Sequence, residues 1–424
     1  MSTLTFALTP YDVARFVEAK LRPSGCATVP ARLEYVSRGR GGAPQCSPAG
    51  MIQPGRLNLL DQFKVKEADA VRVDESPLRD TVRQIFSKMG VPDSDCEVAT
   101  DVLVTADIRG VDTHGVSNML RAYVNGYGKG ELNPRPNWRI VRETPATATV
   151  DSDRGLGIVV VPKAMEIAID KAKKVGLGMV TINNGRHLGM ASYHAMMALE
   201  HDMIGLCMTS CPPSVLPTFG AEPRLGTNPI ALAAPADKEP PFVFDAAMST
   251  VAGNKLGLAR RLGNDLLPGW VGDSDGIPIM DAVEPPMPDY EGRASSHLLP
   301  LGSTRELGSH KGYGLAGIVD ILGGMLSGGG YGANPGRPNF GHSVAAYSIE
   351  AFTDVRQFKR TMDEWLQMLR TTAPAKGHDR VLYPGLPEAE TADDRRANGI
   401  PFHPEVIAWF RDICGELSIP FTLA

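Results

Sequence analysis

Residues 155–210 constrain the fold more than any other stretch, because helix and strand signals alternate along them. Pro162 opens the helix-like run KAMEIAIDKAKKV, which Gly176 and Gly178 close. Residues 179–182 form a short apolar strand that ends in the turn Asn183-Asn184-Gly185. A helix from about Met190 to about Asp202 follows, then a strand over 204–208. This alternation predicts a mixed α/β sheet with helices on its faces. Upstream, residues 146–161 read as strand, turn and glycine-rich passage. Downstream, residues 211–300 hold short apolar runs, IALAAP and FVFDAA, broken by Pro and Gly; these read as strands with long connections. Residues 312–325 read as a buried helix, 344–352 as a strand, 355–369 as an amphipathic helix and 403–417 as a closing helix.

Ahead of the sheet the signals are helical. Ser76-Pro77 marks a helix start, with the helix running to about Met89 before Gly90. Ser94 followed by Glu97 is a capping box for a second helix, which Gly110 stops. A third starts near Ser117 and carries apolar residues at helical spacing until Gly126 and Gly128. His114 therefore lies in a glycine-flanked break between helices, where loops carry chemistry on a rigid frame. Taken alone, a His-Gly pair is more often a surface turn.

Composition narrows the function. A chain of 424 residues with 43% hydrophobic and 21% charged residues is long enough for two or three domains. A formal charge of −5 leaves no basic footprint for nucleic acid. No apolar run reaches the length of a membrane span. Cys26, Cys46, Cys96, Cys207, Cys211 and Cys414 show no C-x-x-C pairing, which fits a reducing, cytoplasmic compartment. Residues 11–21 could form an amphipathic helix. Residues 22–56, rich in Gly, Pro, Ser, Ala and Arg, bury little apolar surface and are expected to be poorly ordered.

Three stretches could carry chemistry. Gly312-Tyr-Gly314-Leu-Ala-Gly317 matches G-x-G-x-x-G, but STRELGSHK before it is no strand, and no acidic residue ends a second strand about 20 residues on. The fingerprint fails its context, while Lys311 at a helix start remains an anion site or a solvated lysine. His187, His194 and His201 recur every seven residues. Metal pairs on a helix usually lie about three or four residues apart, so no metal is expected. His187 differs in following NNG and preceding Gly189, in a strand-to-helix loop. Asp245 ends an apolar strand, where a carboxylate holds an imidazole, accepts from a ribose hydroxyl or caps a turn. The chain lacks G-x-S-x-G, Walker A and H-E-x-x-H motifs.

Several motifs in order carry a resemblance: DIRGVDTHGV, a GLG passage before AM-x-x-AI, NNGRHLG, RLGTNPIA, FDAAMS, GSHKGYGLA and PGLPE. Over about residues 75–420 the chain resembles the type 2 malate/L-lactate dehydrogenase family. That group spans malate, lactate, sulfolactate, ureidoglycolate and diketogulonate dehydrogenases and cyclic imine reductases. The resemblance implies an α/β fold like that of L-sulfolactate dehydrogenase, in which a mixed, non-Rossmann NAD(P)-binding sheet domain packs on a helical domain. It implies NAD or NADP as cofactor, a small 2-hydroxy or 2-oxo acid as substrate and a homodimer. The chain is expected to divide into a poorly ordered N-terminal extension (1–70), a helical segment with the His114 turn (71–150), the NAD(P)-binding and catalytic domain (151–350) and a C-terminal helical segment returning to the N-terminal helices (351–424).

The resemblance also implies site residues. His114 and His187 match the family's two histidines, with Thr113 and Leu188 in place of a usual serine and aromatic. One of them acts as acid/base, as a near-neutral side chain suits. Phe244, Asp245, Ala246, Ala247 and Ser249 match the cofactor-contacting segment, and His310, Lys311 and Gly312 the x-K-G motif. Ser210 and Cys211 fall near the T-N-S loop, and Gly385 in P-G-x-x. Asn228 lies in the matched RLGTNPIA run and is expected at the substrate. One departure stands out: Asn118 occupies the position of an arginine that would clamp the substrate carboxylate. Asparagine brings neither charge nor a bidentate fork. Arg121 or Arg186 would have to take over, or the substrate is not an ordinary 2-oxo acid. Reduction of a C=N bond and a silent nucleotide-binding homologue are the alternative readings.

Overall fold

The computed structural model describes residues 61–286, 296–334 and 340–423. The chain enters through β1 (Val71–Val73), α1 (Glu75–Lys88), α2 (Asp93–Ile108) and α3 (Val116–Gly128). Ser94 and Glu97 lie inside α2, whose N-cap is the extended Pro92, so the capping box does not form. In α3, Val116, Met119, Leu120 and Tyr123 recur at helical spacing and form its buried face.

The sheet then builds from β2 (Arg139–Glu143), β3 (Thr147–Asp151), α4 (Gly157–Val175), β4 (Leu177–Gly185), α5 (Ala191–Met196), β5 (Met203–Ser210), β6 (Ile230–Ala234) and β7 (Phe242–Ala246). After α6 (Asn254–Leu262), the short pair β8 (Val271–Gly272) and β9 (His297–Leu298), and α7 (Ser309–Val319), the long β10 (Phe340–Ser348) returns to the middle. The seven-stranded order is β2-β3-β4-β10-β5-β6-β7. Only β3 and β4 run parallel; every other pair is antiparallel. This is not the parallel sheet of a doubly wound nucleotide fold.

Three sequence boundaries move. The helical segment ends before residue 139, because β2 and β3 belong to the large sheet. Pro162 lies within α4 rather than at its start. The helix begins five residues earlier because Leu156, Ile158 and Val159 bury into the helical core, while Val160, Val161 and Ala164 face the sheet core. One helix thus joins the two cores. Residues 61–70 were expected to be poorly ordered, yet Phe63 is buried and stacks on Trp270 at 5.0 Å. Residues 1–60, including the helix anticipated over 11–21, lie outside the described residues.

The C-terminal segment divides in two. α8 (Val355–Arg370) presents Leu366 to Tyr383 and Leu386, against Phe242 of the β7 edge. α9 (Leu386–Asn398), β11 (Ile400–Phe402) and α10 (Pro404–Leu417) return to the entry helices, where β11 pairs antiparallel with β1. Phe410 and Ile413 of α10 join Leu78, Leu103 and Leu120 in one core. Each such fully buried aliphatic side chain contributes on the order of 1.5–3 kcal/mol before conformational entropy is counted.

The helix expected over 312–325 is buried on one side only, through Gly312, Ala316, Val319, Gly323 and Gly324. α7 passes into a π-helical turn at Asp320–Met325, and Leu315, Ile318, Ile321 and Met325 are exposed along one side.

Candidate active site

The His114 turn is held from below by a carboxyl group. Asp107, in the last turn of α2, is fully buried, and its Oδ2 accepts from the Val116 amide at 2.7 Å. It thereby caps α3, whose N-cap residue is Gly115. A Cβ on Gly115 would stand 2.0 Å from Asp107 Oδ1, so only glycine lets the two meet. Burial, then the nearby Asp112, pushes the Asp107 carboxyl well above the usual range. From α9, Arg395 donates to the Asp107 carbonyl and to the Asp112 carboxylate, the latter at 2.5 Å. The turn is fastened to the C-terminal segment.

His187 follows β4 in the loop to α5 and meets His114 there. The two rings stack at 5.6 Å between centroids and 13° between planes. His114 Nδ1 lies 2.9 Å from Thr113 Oγ1. His187 Nδ1 lies 2.7 Å from the Tyr123 hydroxyl and 3.2 Å from the Gly189 amide. The edge of Phe340 closes the other side at 5.8 Å. Burial lowers His114 to about 4. Burial, His114 and His342 lower His187 to about 3. Both imidazoles are neutral at pH 7, and both residues keep a partly open face. Such a pair can accept a proton from, or donate a hydrogen bond to, a small polar molecule.

The residues expected at a substrate separate. Arg186 stays beside His187, donating to the carbonyls of Glu131 and Gly185. Asn118 donates to the Asp112 carbonyl at 2.6 Å and accepts from Arg261 at 3.2 Å. Arg121 points elsewhere: it sits on the α3 face opposite Tyr123, with its guanidinium 5.5 Å over the Trp409 ring. Asn228 is wholly buried; it accepts from the Cys211 amide and donates to the Ala316 carbonyl, each at 2.9 Å. It is an internal brace rather than a substrate contact.

The expected cofactor residues trace a continuous path. Gly385 begins α9 against the β7 edge, where φ is +100° and a Cβ would meet the Pro241 carbonyl at 2.8 Å. Asp245 lies on β7 and accepts from the Ser192 amide at 2.7 Å, so its carboxylate sits at the start of α5. Burial raises it to about 6, although its outer face is open to water, which screens that effect. Phe244 and Ala246 pair with Leu232 and Ile230. Past Ala247, the Met248 carbonyl accepts from the Leu301 amide, and Ser249 bridges to Pro300. Leu299, Pro300 and Ser303 then line a cavity of about 280 Å³ that ends at Ser309, the first residue of α7. His310 and Lys311 are exposed on that first turn, and Gly312 is buried beneath them. Ser210 and Ser249 turn inward instead, their hydroxyls donating to Asp320 and to the Val251 carbonyl. Cys211 is buried beside them.

Several participants carry no local sequence signal. Arg395 and Arg261 reach the site from elements far away in the chain. Ser303 lines the cavity, while its hydroxyl oxygen is buried without a hydrogen-bond partner among the described residues. Tyr123 does carry one, since a tyrosine on the apolar face of α3 must place its hydroxyl somewhere. His194 is buried, with Nε2 2.9 Å from the Leu188 carbonyl. His201 lies in a separate 3-10 turn.

Comparison with known proteins agrees with this layout. The family model for malate/L-lactate dehydrogenase matches residues 73–411. The chain is 40% identical to a malate dehydrogenase of Pyrococcus abyssi, over 82% of this chain and 96% of that one. It is 36% identical to an L-sulfolactate dehydrogenase of Methanocaldococcus jannaschii, over 79% and 94% respectively. The solved malate dehydrogenase of Pyrococcus horikoshii OT3 superposes with a TM-score of 0.76 at 35% identity, covering 85% of this chain and 99% of the other. A match that takes in both histidines, the path along β7 and the start of α7 leaves one assignment: the chain belongs to the malate/L-lactate dehydrogenase family.

Proposed function

We propose that the protein is a nicotinamide-dependent dehydrogenase that interconverts a small 2-hydroxy acid and its 2-oxo acid. The stacked, neutral pair His114 and His187 carries this reading. A carbonyl being reduced needs a hydrogen-bond donor and a proton-exchanging group at one oxygen, and two stacked imidazoles can supply both. Arg186 beside His187 is the proposed carboxylate partner. Arg261, reaching Asn118 from α6, supplies the positive charge that residue 118 lacks.

The residues along β7 and α7 fit a nucleotide. Thr304 and Ser309 at the start of α7 line one cavity, and Lys311 is exposed on the same first turn, a setting that suits anionic phosphates. Asp245 and Gly385 stand at the other end of the path, where a carboxylate suits ribose hydroxyls. A nicotinamide dinucleotide, NAD or NADP, would supply or accept the hydride. The site would be non-Rossmann, because G-x-G-x-x-G lies within α7 and no parallel strand precedes it. A homodimer is part of the proposal, supported by the exposed stripe Leu315, Ile318, Ile321 and Met325. So is a cytoplasmic setting, supported by free cysteines at 96, 207, 211 and 414. No helix among the described residues is long and apolar enough to cross a membrane.

The test is cofactor oxidation followed by near-ultraviolet absorbance, offering NADH and NADPH separately with 2-oxo acids and cyclic imines. Turnover of a 2-oxo acid, reduced on the order of 100-fold or more in His114→Ala or His187→Ala, is expected. Turnover of imines alone would replace this reading with a C=N reductase.

A further inference from the structure

We infer that Tyr123 is a positioning residue: with the Gly189 amide it holds His187 as the neutral tautomer bearing hydrogen on Nε2. His187 then meets a substrate oxygen as a hydrogen-bond donor, and proton exchange falls to His114. This rests on the dehydrogenase reading only for its catalytic consequence; the tautomer stands on geometry alone.

The Gly189 backbone N–H can only donate, and it lies 3.2 Å from His187 Nδ1. That nitrogen therefore presents its lone pair. The Tyr123 hydroxyl lies 2.7 Å from the same nitrogen, and a second lone pair there would repel, so the phenol donates as well. Burial pushes the Tyr123 hydroxyl well above its ordinary value, which keeps its hydrogen in place at neutral pH. With Nδ1 accepting twice, the ring's one hydrogen sits on Nε2. His114 on one face and Phe340 at the edge keep the ring from turning.

His114 is held differently. Its Nδ1 meets a hydroxyl, Thr113 Oγ1, which donates or accepts by rotating. That freedom suits a ring that gains and loses a proton. During oxidation of the 2-hydroxy acid the substrate O–H bond breaks and its proton forms an N–H bond on His114, while the C2–H bond breaks and its hydride would pass to the oxidised dinucleotide. His187 Nε2–H stays bonded to the substrate oxygen throughout. Tyr123 bonds His187 from the buried face of α3, so its hydroxyl is expected to be dispensable for the cofactor.

The experiment is long-range 1H–15N correlation NMR on 15N-histidine-labelled protein at pH 7, with His187 assigned by its loss in His187→Gln. Wild type is expected to show His187 with Nδ1 unprotonated and Nε2 protonated. In Tyr123→Phe the Nδ1 signal is expected to shift and the tautomers to mix. An Nδ1-protonated or doubly protonated His187 in wild type overturns the proposal. In turnover, Tyr123→Phe is expected to lower kcat about 10- to 100-fold, with KM for the dinucleotide within about twofold. An unchanged kcat overturns the positioning role. If no 2-oxo acid is turned over at all, the dehydrogenase reading falls, and the ring-nitrogen spectra still decide the tautomer.

Discussion

Asp107 and Gly115 are in direct opposition: a Cβ at residue 115 would stand 2.0 Å from Asp107 Oδ1 and 2.6 Å from Oδ2. The carboxyl is buried between two helices and cannot retreat without giving up the Val116 amide. Gly115→Ala is therefore expected to destabilise by about 1–3 kcal/mol, as overpacking does. It should also displace the adjacent His114 and depress kcat more than cofactor affinity. Thermal unfolding and steady-state kinetics check both. An alanine variant with wild-type melting and kcat would show that the turn is looser than described.

Asp107 itself should make stability depend on pH in an uncommon direction. Its folded carboxyl titrates well above the unfolded value of about 3.9, so the folded state binds the extra proton. Stability is then fully present below about pH 4 and declines as pH rises through the folded value. Asp107→Asn keeps an acceptor for Val116 and removes the titration. Relative to wild type it should gain stability on going from pH 4 towards neutrality. Urea unfolding at several pH values measures this, and a constant difference between the two proteins would refute it.

Much of this site is legible in the sequence because it is local. The His114 turn follows from Gly110, Gly115 and the apolar spacing of residues 116–123, and the His187 loop from NNG and Gly189. What is not legible is long-range. Arg395 reaches Asp112 across 283 positions, and Arg261 reaches Asn118 across 143. Neither arginine differs locally from a solvated helix residue. Of the two candidates for the missing arginine, Arg186, the preferred one, stays beside His187, while helical phase turns Arg121 towards Trp409. Pro162 misleads in the same way: a proline start signal is overridden because the residues before it have a core to enter. Asn228 has a turn-like sequence context and a positive φ of 41°, yet tertiary packing consumes both ends of its amide.

Arg395 should couple the C-terminal segment to catalysis. It is 8% exposed, and it joins Asp112 with two hydrogen bonds. Arg395→Met leaves Asp112 half-buried without its partner and should cost about 3–5 kcal/mol. Adding Asp112→Asn should recover part of that, because the unpaired charge is gone. A double-mutant cycle by chemical unfolding gives the coupling. Strict additivity would mean that the pair is not a unit.

The two stacked histidines should weaken the fold in acid. Burial holds His114 at about 4 and His187 at about 3, whereas an unfolded imidazole titrates near about 6.5. The unfolded chain therefore takes up protons that the folded chain refuses. Their stabilising effect is complete above about pH 6.5 and is lost as pH falls towards 4 and then 3. His187→Gln should lose melting temperature less steeply than wild type over that window. Parallel curves would mean that His187 charges as readily folded as unfolded.

Lys311 tests the proposed phosphate end of the path without touching the histidines. It stands exposed on the first turn of α7, two residues after Ser309, which lines the cavity. A lysine there acts as a point charge reinforced by the helix N-terminus, so its contribution to binding an anion should shrink as salt screens it. Lys311→Ala is expected to raise KM for the dinucleotide roughly tenfold at low ionic strength and less at high. kcat should stay within about twofold, because ground-state and transition-state complexes share that contact. A variant with unchanged KM and depressed kcat would move the phosphates away from α7 and leave the cavity to some other part of the ligand.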